Sequence, residues 1–96
     1  MIGLLTARLL VRESRSLKDK RQVARSILDR LKNQFSVAAA EIATQDDHKI
    51  ITLGIAAVGA EMEMVRNVLQ TIQEALRAHP IAEYLGGELM IGTEVV

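Results

Sequence analysis

The chain has no cysteine and no tryptophan, a single proline, and only two aromatic side chains, Phe35 and Tyr84, among 96 residues. Without cysteine there are no disulfides and no thiolate metal sites, which fits a reducing compartment and leaves stability to packing. With two rings, recognition of nucleic acid by stacking bases on exposed aromatics has almost nothing to work with. The opening residues Met1-Ile2-Gly3-Leu4-Leu5 carry no basic run, and no apolar stretch approaches the roughly 20 residues a bilayer span requires. The expectation is therefore a cytoplasmic protein that is neither exported nor membrane-spanning. Pro80 stands alone, and no Pro/Gly/Ser-rich tract or repeat breaks the chain, so residues 1–96 read as one domain.

What is present is a large aliphatic fraction and an uneven distribution of charge. Hydrophobic residues make up 49% of the chain, enough for a core at this size. Residues 1–34 hold nine of the twelve Lys and Arg against three acids, a charge of +6, whereas residues 35–96 carry −6. A clustered positive field attracts phosphates even where the total charge is zero.

Residues 2–11 are apolar in both alternating registers, the mark of a central strand. Ser16 then offers an N-cap with Asp19 three residues on, and Leu17, Val23, Ala24, Ile27, Leu28 and Leu31 recur at helical spacing, which predicts a helix over 17–34. Phe35 to Thr44 and Lys49 to Val58 are small or β-branched, separated by Gln45-Asp46-Asp47-His48, and read as a hairpin. Met62, Val65, Val68, Leu69, Ile72 and Leu76 mark a second helix ending near His79-Pro80, and a last strand spans 84–95. The order βαββαβ defines an α+β fold, a ferredoxin-like sandwich with an antiparallel sheet and two helices on one face. The other sheet face is left uncovered. Monomers seldom leave such an apolar patch in water, so a homodimer through that face is expected; the alternative is that Arg8, Arg12 and Thr52 keep it wet.

Placed at 100° per residue with Lys18 at zero, Arg21 falls at about 300°, Lys32 at about 320° and Arg25 at about 340°. These four share one exposed stripe, and Arg15 extends it before the helix begins. Lys20, at about 200°, points toward the core side, with its stem along apolar surface and its ammonium reaching out. A charged helix face is usually a solvated face, and Lys and Arg are good helix formers. Cations near a helix N-terminus oppose the dipole, however, a local cost that often accompanies a functional site.

Chemistry finds little footing. His48 beside Asp46 and Asp47 is a turn sequence before it is a metal site. His79 reads as a C-terminal helix residue complementing the dipole, and Gly86-Gly87 as a turn or bulge without any phosphate-loop spacing. Glu41, isolated in a small apolar strand, reads as the structural partner of a cation on the first helix. No nucleophile with base and orienter assembles from these residues, so the expectation is a non-enzymatic protein with no cofactor and no metal.

Ser16-Leu17-Lys18-Asp19-Lys20-Arg21, Leu28-Asp29-Arg30-Leu31-Lys32-Asn33 before Phe35-Ser36-Val37, Ala40-Glu41-Ile42, Gln45-Asp46 and Thr52-Leu53-Gly54-Ile55-Ala56 together resemble the bacterial YlxP-like proteins, an uncharacterised family also described as a domain of unknown function. The resemblance runs in order from residue 2 to about 95. It implies a ferredoxin-like fold and a cytoplasmic protein often encoded among translation-initiation and ribosome-maturation genes, and it implies no established activity. Asp47-His48 stands where relatives tend to carry an aromatic, and Gly86-Gly87 is less familiar there. The resulting expectation is an accessory protein contacting RNA or a ribosomal particle through Arg15, Lys18, Lys20, Arg21, Arg25 and Lys32. The alternative is a homodimeric protein-interaction or small-ligand-sensing module without nucleic-acid binding.

Overall fold

Alternation along Ile2–Leu10 (β1) is resolved into two faces: Leu5, Ala7 and Leu9 are fully buried, while Ile2, Leu4, Thr6 and Leu10 are half-buried and Arg8 is exposed. The computed structural model describes residues 1–93. After β1 come α1 (Leu17–Gln34), β2 (Ala38–Glu41), β3 (Ile50–Val58), α2 (Met62–Arg77) and β4 (Glu83–Gly92). The strands form one antiparallel sheet in the order β2-β3-β1-β4, the α+β ferredoxin-like arrangement. β1 is central, pairing with β3 from Ile2↔Val58 to Leu10↔Ile50 and with β4 on its other side.

The buried register faces the helices. Leu5, Leu9, Ile51, Leu53 and Ile55 from the sheet meet Ala24, Ile27 and Leu31 of α1 and Val65, Leu69, Ile72 and Leu76 of α2. Each large aliphatic side chain removed from water in this layer is worth roughly 1.5–3 kcal/mol, and with so few aromatics the layer rests on these branched side chains. α1 packs over β2 and β3, and α2 over β1, β3 and β4.

The first helix starts and ends where its capping residues dictate. Ser16 accepts a hydrogen bond from the Asp19 backbone N–H at 3.1 Å, and the Asp19 carboxylate accepts from the Arg15 backbone N–H one residue before the cap at 3.1 Å, which also sets an acid against the positive end of the dipole. β2 starts later than the expected 35 because Phe35 caps α1, and it stops short of 44 because Ala43 adopts φ 55 just beyond it, a left-handed conformation that breaks the extended run. The Gly86-Gly87 expectation resolves as a bulge: the β1–β4 register shifts between Arg8 and Leu9, and Gly86 takes φ 152, a region open essentially to glycine. β4 ends at Gly92; residues 94 and 95 of the expected strand lie outside the described residues.

Gly3 sits in the helix-facing register, where a Cβ would come within 2.5 Å of Val65 Cγ1 and 2.7 Å of Leu69 Cδ1. α2 therefore lies directly on the β1 backbone. Gly3→Ala overpacks this contact and should cost about 1–3 kcal/mol; urea denaturation should show a lower midpoint with an unchanged slope.

Candidate nucleic-acid interface

The cations of α1 separate into two populations that the helical projection alone does not distinguish. Lys18, Arg21, Arg25 and Lys32 are exposed, as is Arg15 just before the helix. Among the described residues, the ion pairs within 4.0 Å are Arg12–Glu83 and Lys20–Glu41, so none of these five cations is neutralised by a neighbouring carboxylate. Arg21, Arg25 and Lys32 come together with Ala24, Leu28, Asp29 and Glu41 around one open groove of about 260 Å³ between α1 and β2. Lys18 and Arg15 lie outside that groove and extend the ridge toward the helix N-terminus.

Lys20 departs from the expectation and is withdrawn from the set of phosphate contacts. Its side chain is 0% exposed, and its ammonium donates to Glu41 Oε2 at 2.7 Å, to the Thr44 carbonyl at 2.9 Å and to the Gln45 carbonyl at 3.2 Å. An ammonium has three donors, and all three are engaged. The stem does run along the core side as read from the sequence, but the head turns onto the hairpin loop instead of reaching water. The Ala43 turn brings the two carbonyls to it. Glu41, 14% exposed at its side chain, is the structural partner expected of it; with Lys20 behind it, its charge is largely cancelled within the groove, which leaves Arg21, Arg25 and Lys32 facing Asp29 alone.

Sequence reasoning missed Lys49, which ties the same end of the fold from the opposite side. Its ammonium donates to the carbonyls of Arg12 at 2.7 Å and Ser14 at 3.0 Å, and the Ser14 hydroxyl donates to the His48 carbonyl. The loop leading into α1 is thus clamped to the β2–β3 loop, which fixes where the basic ridge begins. Carbonyl acceptors leave no signature in side-chain identity, so only a lysine flanking a loop hinted at this role. Within that loop, Asp47 accepts from the backbone N–H groups of Lys49 and Ile50 at 2.8 and 2.9 Å; these bonds hold its carboxyl below the ordinary carboxylate value. The turn reading of Asp47 stands on those contacts.

His79 differs from its expectation too. It lies beyond the end of α2, and its Nδ1 accepts from the backbone N–H groups of Ile81 at 3.1 Å and Ala82 at 3.0 Å. A nitrogen that accepts two bonds carries no proton, so the ring acts as a neutral cap for the turn into β4 and not as a cation at the helix end. Burial, and secondarily the Arg30 guanidinium, push its pKa below the ordinary value of 6.5. Tyr84, the other aromatic of this end, lies under the Arg77 guanidinium at 5.2 Å and accepts from Gln73, so its ring is already covered. Among the described residues no group of three or more His, Cys, Asp or Glu side chains comes together as a metal cluster would, and no helix is long and apolar enough to cross a membrane.

The split βαβ sandwich carrying a basic first helix defines a class of small α+β proteins, and the sequence matches narrow it. The chain belongs to the family described as "Protein of unknown function (DUF503)", which matches residues 2–88. It is similar to "Uncharacterized protein YlxP" of Bacillus subtilis (strain 168), 34% identical over 83 residues that cover 86% of this chain and 90% of that protein. The family resemblance read from Ser16 to Arg21 is borne out.

Two measurements test the electrostatics of this end. Lys20→Met strands Glu41 in a half-buried site and should cost on the order of 3 kcal/mol, whereas Lys20→Met with Glu41→Leu should recover much of that loss, because two well-packed apolar groups replace a buried pair more cheaply than one orphaned charge. Chemical denaturation of the three proteins reads this directly. For His79 the folded pKa is lower than the unfolded one, so below 6.5 the unfolded chain binds more protons and stability falls with falling pH until the folded ring also titrates. The contribution should be complete above pH 6.5, and His79→Gln should flatten the acid limb of a denaturation-midpoint profile.

Proposed function

We propose that this protein is a non-enzymatic accessory factor that binds structured RNA, free or within a ribosomal particle, through the ridge formed by Arg15, Lys18, Arg21, Arg25 and Lys32. The observation that carries this reading is that the ridge is exposed and none of its cations is in an ion pair within 4.0 Å among the described residues. Lys18 and Lys32 stand about 21 Å apart along the helix at 1.5 Å per residue. That length suits a polyanion better than a mononucleotide or a free phosphate. Phe35 is half-buried and Tyr84 is covered by Arg77, so base stacking contributes little and the contacts fall on phosphates and duplex shape. Such binding is weak, sequence-independent and salt-sensitive. The presence of two cations, Lys18 and Arg21, at the positive end of the helix dipole also favours this reading, since Lys20 has a structural reason to be there and they do not. The rival reading, a homodimeric interaction or ligand-sensing module without nucleic acid, draws its support from the apolar sheet face.

Filter binding to a structured RNA across a salt series separates the two. The Lys18→Glu, Arg21→Glu, Arg25→Glu triple variant should lose most of its affinity, and its salt dependence should fall by about one logarithmic unit for each phosphate contact removed. An Arg30→Glu, Arg66→Glu, Arg77→Glu variant changes net charge equally off the ridge and should bind nearly as well as the parent. Equal loss in both variants, or none in the first, would overturn the assignment.

A further inference from the structure

The sheet face turned away from the helices is the largest feature the ridge leaves unexplained. Leu4 and Leu10 of β1, Ile50 and Val58 of β3 and Met90 of β4 occupy it; Val58 is 78% exposed and Met90 51%. Across it Ala38, Ala40 and Ala56 present only small side chains, and Ile42 folds over Gly54 and adds a further exposed apolar side chain.

We infer that this face is closed by a second copy of the chain, sheet against sheet about a two-fold axis. Two observations select that occupant. The first is charge self-complementarity. Arg8 and Glu88 are exposed on this face and are diagonal neighbours, since Thr6 is opposite Glu88 and Arg8 is opposite Gly86. They nonetheless form no ion pair within the chain among the described residues. Gly86, next to Arg8, has open space where its Cβ would be. A two-fold axis crossing the strands between the two levels sets the second copy's Glu88 over the bare Gly86 and beside Arg8, and the symmetry repeats the pair. One patch bearing one cation and one anion side by side satisfies itself twice in an isologous contact. A different partner would have to reproduce both charges and the apolar surround.

The second observation is size. Strands about 4.8 Å apart and about 3.3 Å per residue give the four-stranded face a projected area on the order of 500 Å². Two copies bury about 1,000 Å², the level at which specific interfaces begin. The apolar centre supplies the association, and the Arg8–Glu88 pairs fix register and orientation.

Light scattering and sedimentation of nuclease-treated, RNA-free protein test this without reference to RNA. The expected mass is twice the 10.6 kDa of the chain. Met90→Arg should give a monomer with unchanged far-UV circular dichroism, because Met90 is already half-exposed. Arg8→Glu alone and Glu88→Arg alone should each weaken the dimer at least about tenfold, since like charges then face one another, and the double exchange should restore it. A monomer at every concentration, a dimer indifferent to Met90→Arg, or single variants that weaken the dimer without rescue by the exchange would each overturn the inference.

Discussion

One buried ammonium organises the end of the molecule where the basic ridge begins. Lys20 leaves α1 on its core side and closes three contacts with the β2–β3 unit: the Glu41 carboxylate and the carbonyls of Thr44 and Gln45. A charge taken fully out of water is tolerated only where its donors are all met, and here they are. The consequence is geometric. With Lys20 anchored, the register of α1 against β2 is fixed, and Arg21 and Arg25 are held at the mouth of a groove to which β2 contributes Glu41. Lys49 completes the arrangement from the other side by binding the carbonyls of Arg12 and Ser14, so the segment entering the helix is fastened at both of its edges.

This anchoring sorts residues that look equivalent in composition. Seven cations crowd residues 15–32 along one helix and its approach, yet Lys20 is buried and structural while the other six, the five of the ridge and Arg30 off it, are exposed. A buried lysine paired with an acid adds nothing to the field outside; it subtracts an acid from it. Glu41 would otherwise weaken the groove, and its pairing with Lys20 leaves the local field positive. The cost is borne in desolvation at one site, and the gain appears as an uncompensated surface nearby.

Periodicity and capping residues carried most of the fold. The helix over 17–34 follows from Ser16, Asp19 and the apolar repeat, and it is found at Leu17–Gln34. The central position of β1 follows from its apolar residues in both registers. What was not legible were features made by backbone atoms. The left-handed turn at Ala43 shortened β2, although alanine gives no warning of it. The carbonyls that capture Lys20 and Lys49 have no letter in the sequence, and the projection that put Lys20 on the core side could not say that its head stays there. The position of His79 next to a helix end suggests a role at that end, whereas its Nδ1 serves the next turn. The pairing of Glu41 with α1 was legible, because an isolated acid in a small-residue strand needs a cation on the neighbouring element.

The two proposed contact surfaces do not overlap, since the ridge lies on α1 beside the β2 edge and the self-complementary patch on the bare side of the sheet, and that separation constrains how they combine. The ridge belongs to the helical layer, and the self-complementary patch belongs to the bare side of the sheet. Closing the sheet faces on one another therefore leaves both ridges outward, with the two helical layers separated by two sheets at about 10 Å per layer, on the order of 30 Å between helix axes. In such a pair, if the ridge contacts RNA as proposed, each copy would meet its own stretch of backbone. A folded RNA or a particle presenting two backbone segments at that distance gains from the linkage, because the second contact becomes intramolecular once the first has formed. On the proposed reading, weak single-ridge affinity and selective retention on a large folded RNA would both follow from the same geometry, with no base contact needed for either.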